Sequence, residues 1–184
     1  TLDIADNPIA PDAWRAFRAA DPAMRLRRLD VSGTPLAGIS LEPLLDSRSL
    51  EALTALEMNR CGSARKNLEV LAASGYWTRA TELRAHSGTI PASTLEPLCR
   101  SAGPPALRLL DLGDNYLRRE GVELLCDAAW AESLTFLTLS ANYLDDEAVE
   151  LLARSGRFTE LRTLHLSFNN TLDRGDHLVI TDRG

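Results

Sequence analysis

Leucine recurs at a fixed interval of 27 residues along this chain: Leu2, Leu29, Leu56, Leu83, Leu110, Leu137 and Leu164. No insertion or deletion is needed to hold that register. A unit so short cannot bury its own apolar face, so the chain must stack copies of itself until it can. At 184 residues there is room for a substantial core built this way. The period predicts one repeat domain over residues 1–184. Residues 172–184 lose the spacing and form an irregular C-terminal cap or a truncated further unit.

The neighbours of each anchor recur too. Two residues on stand Ile4, Val31, Met58, Ala85, Leu112, Leu139 and Leu166; three residues before stand Leu26, Leu53, Ala80, Leu107, Leu134 and Leu161. Apolar residues two apart point to one side of a short strand, and those between them point outward. Five residues after the anchors come Asn7, Thr34, Cys61, Gly88, Asn115, Asn142 and Asn169. An asparagine amide both donates and accepts, so it can satisfy backbone groups where the strand ends. Further on, apolar pairs sit three apart: Trp14 and Phe17, Leu41 and Leu44, Leu68 and Leu71, Leu95 and Leu98, Val122 and Leu125, Val149 and Leu152. That spacing marks the inner face of a helix. Pro11-Asp12, Ser93 and Asp145-Asp146 signal helix starts, and Gly75, Gly103 and Gly156 signal stops. The expected fold is an α/β solenoid, a horseshoe with parallel strands on the concave face and helices on the convex face. Seven strands about 4.8 Å apart span roughly 30 Å.

The pattern L-x-x-L-x-L-x-x-N/C-x-L resembles the leucine-rich repeat family, and the length of the unit with its full helix is most similar to the ribonuclease-inhibitor-like class. The resemblance covers nearly the whole chain. It implies a non-enzymatic module that binds a protein partner. By fold analogy it also admits a regulator of a small GTPase, as in the GTPase-activating proteins for Ran, or a scaffold segment of a larger protein. An enzyme carried on a repeat array would keep its catalytic domain outside the repeats.

The third and fourth units are the poorest, with Ala80, Ala85, Ser63 and Gly88 where larger or polar side chains belong. Looser packing is expected over residues 77–90, with Tyr76 or Trp77 leaning in to fill the space. The front end begins on Leu2 and Ile4 with no polar cover, a surface for self-association.

Little in the sequence carries chemistry. Phosphate-binding, dinucleotide, zinc-protease and nucleophile-elbow motifs are absent, so no catalytic residue, cofactor or metal is expected. His86, His165 and His177 lie far from one another in sequence and lack a partner at metal-ligand spacing. Cys61, Cys99 and Cys126 are odd in number with no CxxC pair, which fits free thiols in a reducing cytoplasm. Cys99 and Cys126 are expected on adjacent helices, buried and unbonded. The net charge of −6 speaks against nucleic acid and anionic membrane as partners. A single lysine, Lys66, among many arginines, with abundant alanine, fits a GC-rich bacterial genome. Asn169-Asn170-Thr171 spells a glycosylation sequon, but the ladder role already explains Asn169.

The outward-facing strand positions are therefore the candidate site for an unknown protein partner: Asp30, Glu57, Arg84, Asp111, Leu109, Phe136, His165 and Phe168. The N-terminal half of that face is acidic with arginines mixed in. The C-terminal half carries Leu109, Phe136 and Phe168, either an interface built on aromatic anchors or scattered surface apolar residues without a role.

Overall fold

A computed structural model describes residues 1–9, 11–20, 25–34, 41, 45, 50–62 and 65–169. Each anchor leucine sits in the middle or at the start of a short strand: β1 Leu2–Asp3, β2 Arg28–Asp30, β3 Ala55–Glu57, β4 Glu82–Arg84, β5 Leu109–Asp111, β6 Phe136–Thr138 and β7 Thr163–His165. They form a seven-stranded, wholly parallel sheet in sequence order. Leu2 pairs with Leu29, Leu29 with Leu56, and so on to Leu137 with Leu164, so the register of the sheet is the period of the sequence. Between strands the chain crosses over through α1 Pro11–Ala20, α2 Arg65–Ala73, α3 Ala92–Arg100, α4 Arg118–Asp127 and α5 Asp146–Arg154. Neighbours α2–α3, α3–α4 and α4–α5 pack on each other behind the sheet. This is the α/β leucine-rich-repeat solenoid that the spacing predicts.

The core lies between the two layers. Leu29, Leu56, Leu83, Leu110 and Leu137 are fully buried, together with Leu68, Leu71, Leu95, Leu98, Val122 and Leu125 from the helices. Leu164 differs at 40% exposure. It lines an apolar hollow of about 380 Å³ with Val149, Leu152, Phe158, Leu161 and Leu166. Leu41 is buried as expected; the side chains of Trp14 and Phe17, and Leu44, Ser63 and residues 170–184, lie outside the described residues.

The weak units are not loose. Ala80 and Ala85 are completely buried, and so are Tyr76 and Trp77. The Tyr76 hydroxyl donates to the carbonyl of Glu82 at 2.6 Å, which sets its ring across the fourth coil. Trp77 meets Trp130 edge-on with centroids 5.5 Å apart and donates its indole N–H to Ser101 Oγ at 2.7 Å. Two aromatics thus supply the volume that the alanines lack.

One helix start also departs from expectation. α3 is capped by Pro91, with no side-chain cap, rather than by Ser93. Pro91 is bridged to Tyr116 of the next coil, which fixes where the helix can begin. Asp145 does cap α5, accepting the Ala148 N–H at 2.8 Å.

The ladder residues join consecutive coils. Asn115 Nδ2 donates to Ala85 O of the preceding coil (3.0 Å) and to Leu112 O and Gly113 O of its own, while its Oδ1 accepts from Gly88 N and Ile90 N. Asn142 and Asn169 reach back in the same way to Leu112 O and Leu139 O. Where the residue is Cys61, the thiol donates to Val31 O at 3.1 Å. Gly88 donates nothing from a side chain, and Asn115 makes to this coil the same bonds that Asn169 makes to the coil of Asn142.

Burial pushes the Cys61 thiol up from 9.0 to about 11 and the Cys99 thiol to about 12, and raises Cys126 as well. All three are free, as expected, but Cys126 is only partly buried. Asn115→Ala strands several buried backbone groups, each costing about 1–3 kcal/mol. Chemical denaturation should show a loss of about 3 kcal/mol or more, against less than about 1 kcal/mol for Asn7→Ala, whose site is exposed. The thiols make a second expectation. A group that keeps its proton better when folded adds stability that is complete below its unfolded value and is lost as pH rises through the folded one. The denaturation midpoint should therefore fall between pH 9 and about 12, and Cys99→Ala should flatten that fall.

Candidate partner-binding surface

Alternation along three-residue strands places the residues on either side of each anchor on the open face of the sheet. There the two halves of the stack behave differently.

In the N-terminal half the charges satisfy one another. Arg28 donates to Glu57 at 2.7 Å and to Glu82 at 2.8 Å. Arg84 lies 3.8 Å from Glu57 and 3.9 Å from Glu82. Two arginines and two glutamates from three adjacent strands form a closed alternating square. Hydrogen bonds from Glu57 first, then Glu82, hold the Arg28 guanidinium above its ordinary value. Asp30 is occupied as well, accepting the backbone N–H of Ser32 at 2.8 Å, as Asp3 does for Ala5 at 3.0 Å. Of the predicted contact residues, Asp30, Glu57 and Arg84 are thus already engaged within the chain.

The C-terminal half holds a depression of about 500 Å³ that brings together Asp111, Phe136, His165 and Phe168, with His86 and Asp114 beside them. Leu109 flanks it, in register with Phe136 on the next strand, and like Phe136 it is half-buried rather than exposed. Phe136 and His165 meet edge to face with centroids 5.1 Å apart. Asp111 accepts the Gly113 N–H at 2.9 Å and faces His86 Nδ1 at 3.4 Å. A Cβ on Gly113 would stand 2.6 Å from that nitrogen, so the glycine lets the imidazole approach. Ser87 Oγ donates to Asp114 at 2.6 Å. Thr138, Ser140 and Ser167 share hydroxyl contacts of 3.0–3.3 Å across the polar part of the floor.

Backbone geometry adds a feature that residue types conceal. Asp6, Gly33, Arg60, Ser87, Asp114, Ala141 and Phe168, spaced by 27, all have φ between 52° and 70°. Each coil leaves its strand through one left-handed residue, and from Asp6 to Ala141 its N–H meets the carbonyl of the next coil, as with Ala141 N to Ser167 O at 2.9 Å. Only Gly33 adopts that conformation without a Cβ. Phe168 is the most costly occupant, a bulky side chain at φ 61° whose ring is 77% exposed. Along the same rim, Tyr116 and Tyr143 stack with centroids 5.6 Å apart, and the Arg118 guanidinium lies 5.8 Å from the Tyr143 ring.

The charge square, the left-handed column, Asp114 and the tyrosine stack all escaped sequence reading. Writing the chain in rows of 27 sets Tyr116 above Tyr143 but leaves Ala55 between Arg28 and Glu82; nothing in residue types reveals the backbone conformation.

No protein-family model matches the chain, and no curated protein matches it by sequence. Solved structures share its fold. An internalin, InlF, from Listeria monocytogenes superposes with a TM-score of 0.60 at 19% identity, covering 99% of this chain and 43% of the internalin. A tropomodulin C-terminal domain from Caenorhabditis elegans gives 0.53 at 14% identity, over 87% of this chain and 84% of that domain. The chain thus spans less than half the length of the internalin.

A left-handed non-glycine residue costs about 1–2 kcal/mol, and an exposed ring returns little of that. Phe168→Gly should raise the folding stability by about 1 kcal/mol in equilibrium denaturation. A loss of stability would mean that the ring packs in the folded chain.

Proposed function

We propose that this chain is a non-enzymatic module that holds a protein partner on the C-terminal half of its concave sheet. Phe168 carries the reading. It weakens the fold through its backbone and exposes its ring to water, a combination that stability alone does not retain. Around it stand a second aromatic and groups able to hydrogen-bond, the composition of an interface centre with a polar rim.

The polar groups of the depression are arranged for contact rather than for turnover. A hydroxyl nucleophile needs a base that can take its proton, with that base oriented by a third group. Here Ser87 Oγ donates to the Asp114 carboxylate, and His86 faces the separate carboxylate of Asp111. The pairs run side by side without forming a relay. Within this reading the 27-residue unit with its helix belongs to the ribonuclease-inhibitor-like class of repeats, from a bacterial source. The three unpaired cysteines favour a reducing compartment, the cytoplasm, for the module.

Capture from native lysate tests the proposal. Immobilised wild-type chain and the convex-face control Arg119→Ala should retain the same protein, which Phe168→Gly and the double variant Phe136→Arg, Asp111→Lys should both lose. Equal capture by all four chains would remove the concave sheet from consideration.

A further inference from the structure

We infer that the side chain received by the depression is an arginine of the partner; the inference rests on the concave-face reading above and names the chemistry it requires. Charge decides the matter. The lining contributes two carboxylates, Asp111 and Asp114, and neither arginine nor lysine. Among the described residues no guanidinium or ammonium comes within ion-pair distance of either carboxylate. Arg84, in register with Asp111 on the neighbouring strand, makes its ion pairs with Glu57 and Glu82 instead. The same sheet thus pairs Glu57 and Glu82 with arginines within the chain, whereas Asp111 faces only the His86 imidazole at 3.4 Å and Asp114 only the Ser87 hydroxyl.

Both aspartates are held in place before any partner arrives. Asp111 is fixed by the Gly113 N–H and Asp114 by the Ser87 hydroxyl, and both carboxylates retain acceptor capacity beyond those bonds. The Asp111 side chain is only 18% exposed, so water screens it poorly, and a charge-assisted bond there is stronger than one at an open surface. Asp114 is exposed at the mouth of the hollow. Phe136 and Phe168 add aromatic rings to the wall, beside His86, His165 and the hydroxyl-lined floor. A planar guanidinium satisfies all three features, bonding carboxylates through its edge and stacking its face on a ring. Lysine offers a compact, strongly hydrated charge that loses the stacking. The chain's net charge of −6 draws a basic segment toward it.

Selection from a displayed library of random dodecapeptides on the immobilised chain tests this. The expected peptides carry arginine. Replacing that arginine by citrulline, which keeps the shape and removes the charge, should weaken binding about tenfold or more. Asp114→Asn should weaken binding of the same peptides comparably. Asparagine tolerates the left-handed backbone and can still accept from Ser87, so the fold is kept. Exchanging arginine for lysine should cost several-fold.

Peptides without a cation, indifference to citrulline, or no enriched peptide at all would overturn the inference. Cation-free peptides that still fail on Phe168→Gly would leave the concave-face reading standing. Peptides that bind Phe168→Gly and the Phe136→Arg, Asp111→Lys variant as well as wild type would sink both.

Discussion

Every coil of this chain depends on its neighbour for the partners of its own backbone. The strands are too short to close a ladder within one unit, so each N–H must find a carbonyl one period away: Val31 finds Glu57, Met58 finds Arg84, Ala85 finds Asp111. Beyond the strand the same dependence continues through the asparagine amides, which enter the core to meet carbonyls of the coil before. Burying these groups unpaired would cost more than the leucines contribute in any single unit. In-register stacking is the constraint from which the other features follow. It explains why the period never slips, since one lost residue would unpair an entire coil.

The stack makes the open face a surface of columns, and the columns are used in two ways. Between β2 and β4, Arg28, Glu57, Glu82 and Arg84 find their partners in one another. Ion pairs of this partly exposed kind contribute little stability individually. They nonetheless leave none of those four charges unclaimed for an incoming partner. From β4 to β7 the columns change to histidine, aspartate, phenylalanine and small hydroxyl residues, and the pairing of carboxylates with arginines stops. A sheet uniform in backbone is thereby divided by side chains into a finished half and an unfinished one.

How far the sequence discloses this depends on what each feature costs in residue identity. Burial of a strand centre demands a large aliphatic group, so the seven leucines declare the sheet and its register outright. The rung position is held by an amide in the coils of Asn115, Asn142 and Asn169, by a thiol at Cys61 and by no side chain at Gly88, which blurs the signal. The left-handed turn makes almost no demand on identity, because stacking on both sides imposes it. Arginine, serine, aspartate, alanine and phenylalanine all accept it, and no reading of residue types finds it. Volume is equally indifferent to position. The alanines of the fourth coil imply a gap only until Tyr76 and Trp77, from the preceding return segment, fill it. The candidate site was half legible: Phe136 and His165 follow from alternation and Phe168 stands just beyond the outward Ser167, whereas the charge square closes only through the contact of Arg28 with Glu82, two strands away.

The depression draws on four coils, with His86 from the fourth and His165 and Phe168 from the last one described. Its walls are coupled to the stack, since Asn169, next to Phe168, is buried and bonded to Leu139 of the preceding coil. That coil is also the one whose anchor, Leu164, is part-exposed over an apolar hollow. A ligand that engages Phe168 together with Asp111 ties the seventh coil to the fifth and adds to the cohesion between them. Binding and coil cohesion draw on the same free energy, and each must strengthen the other.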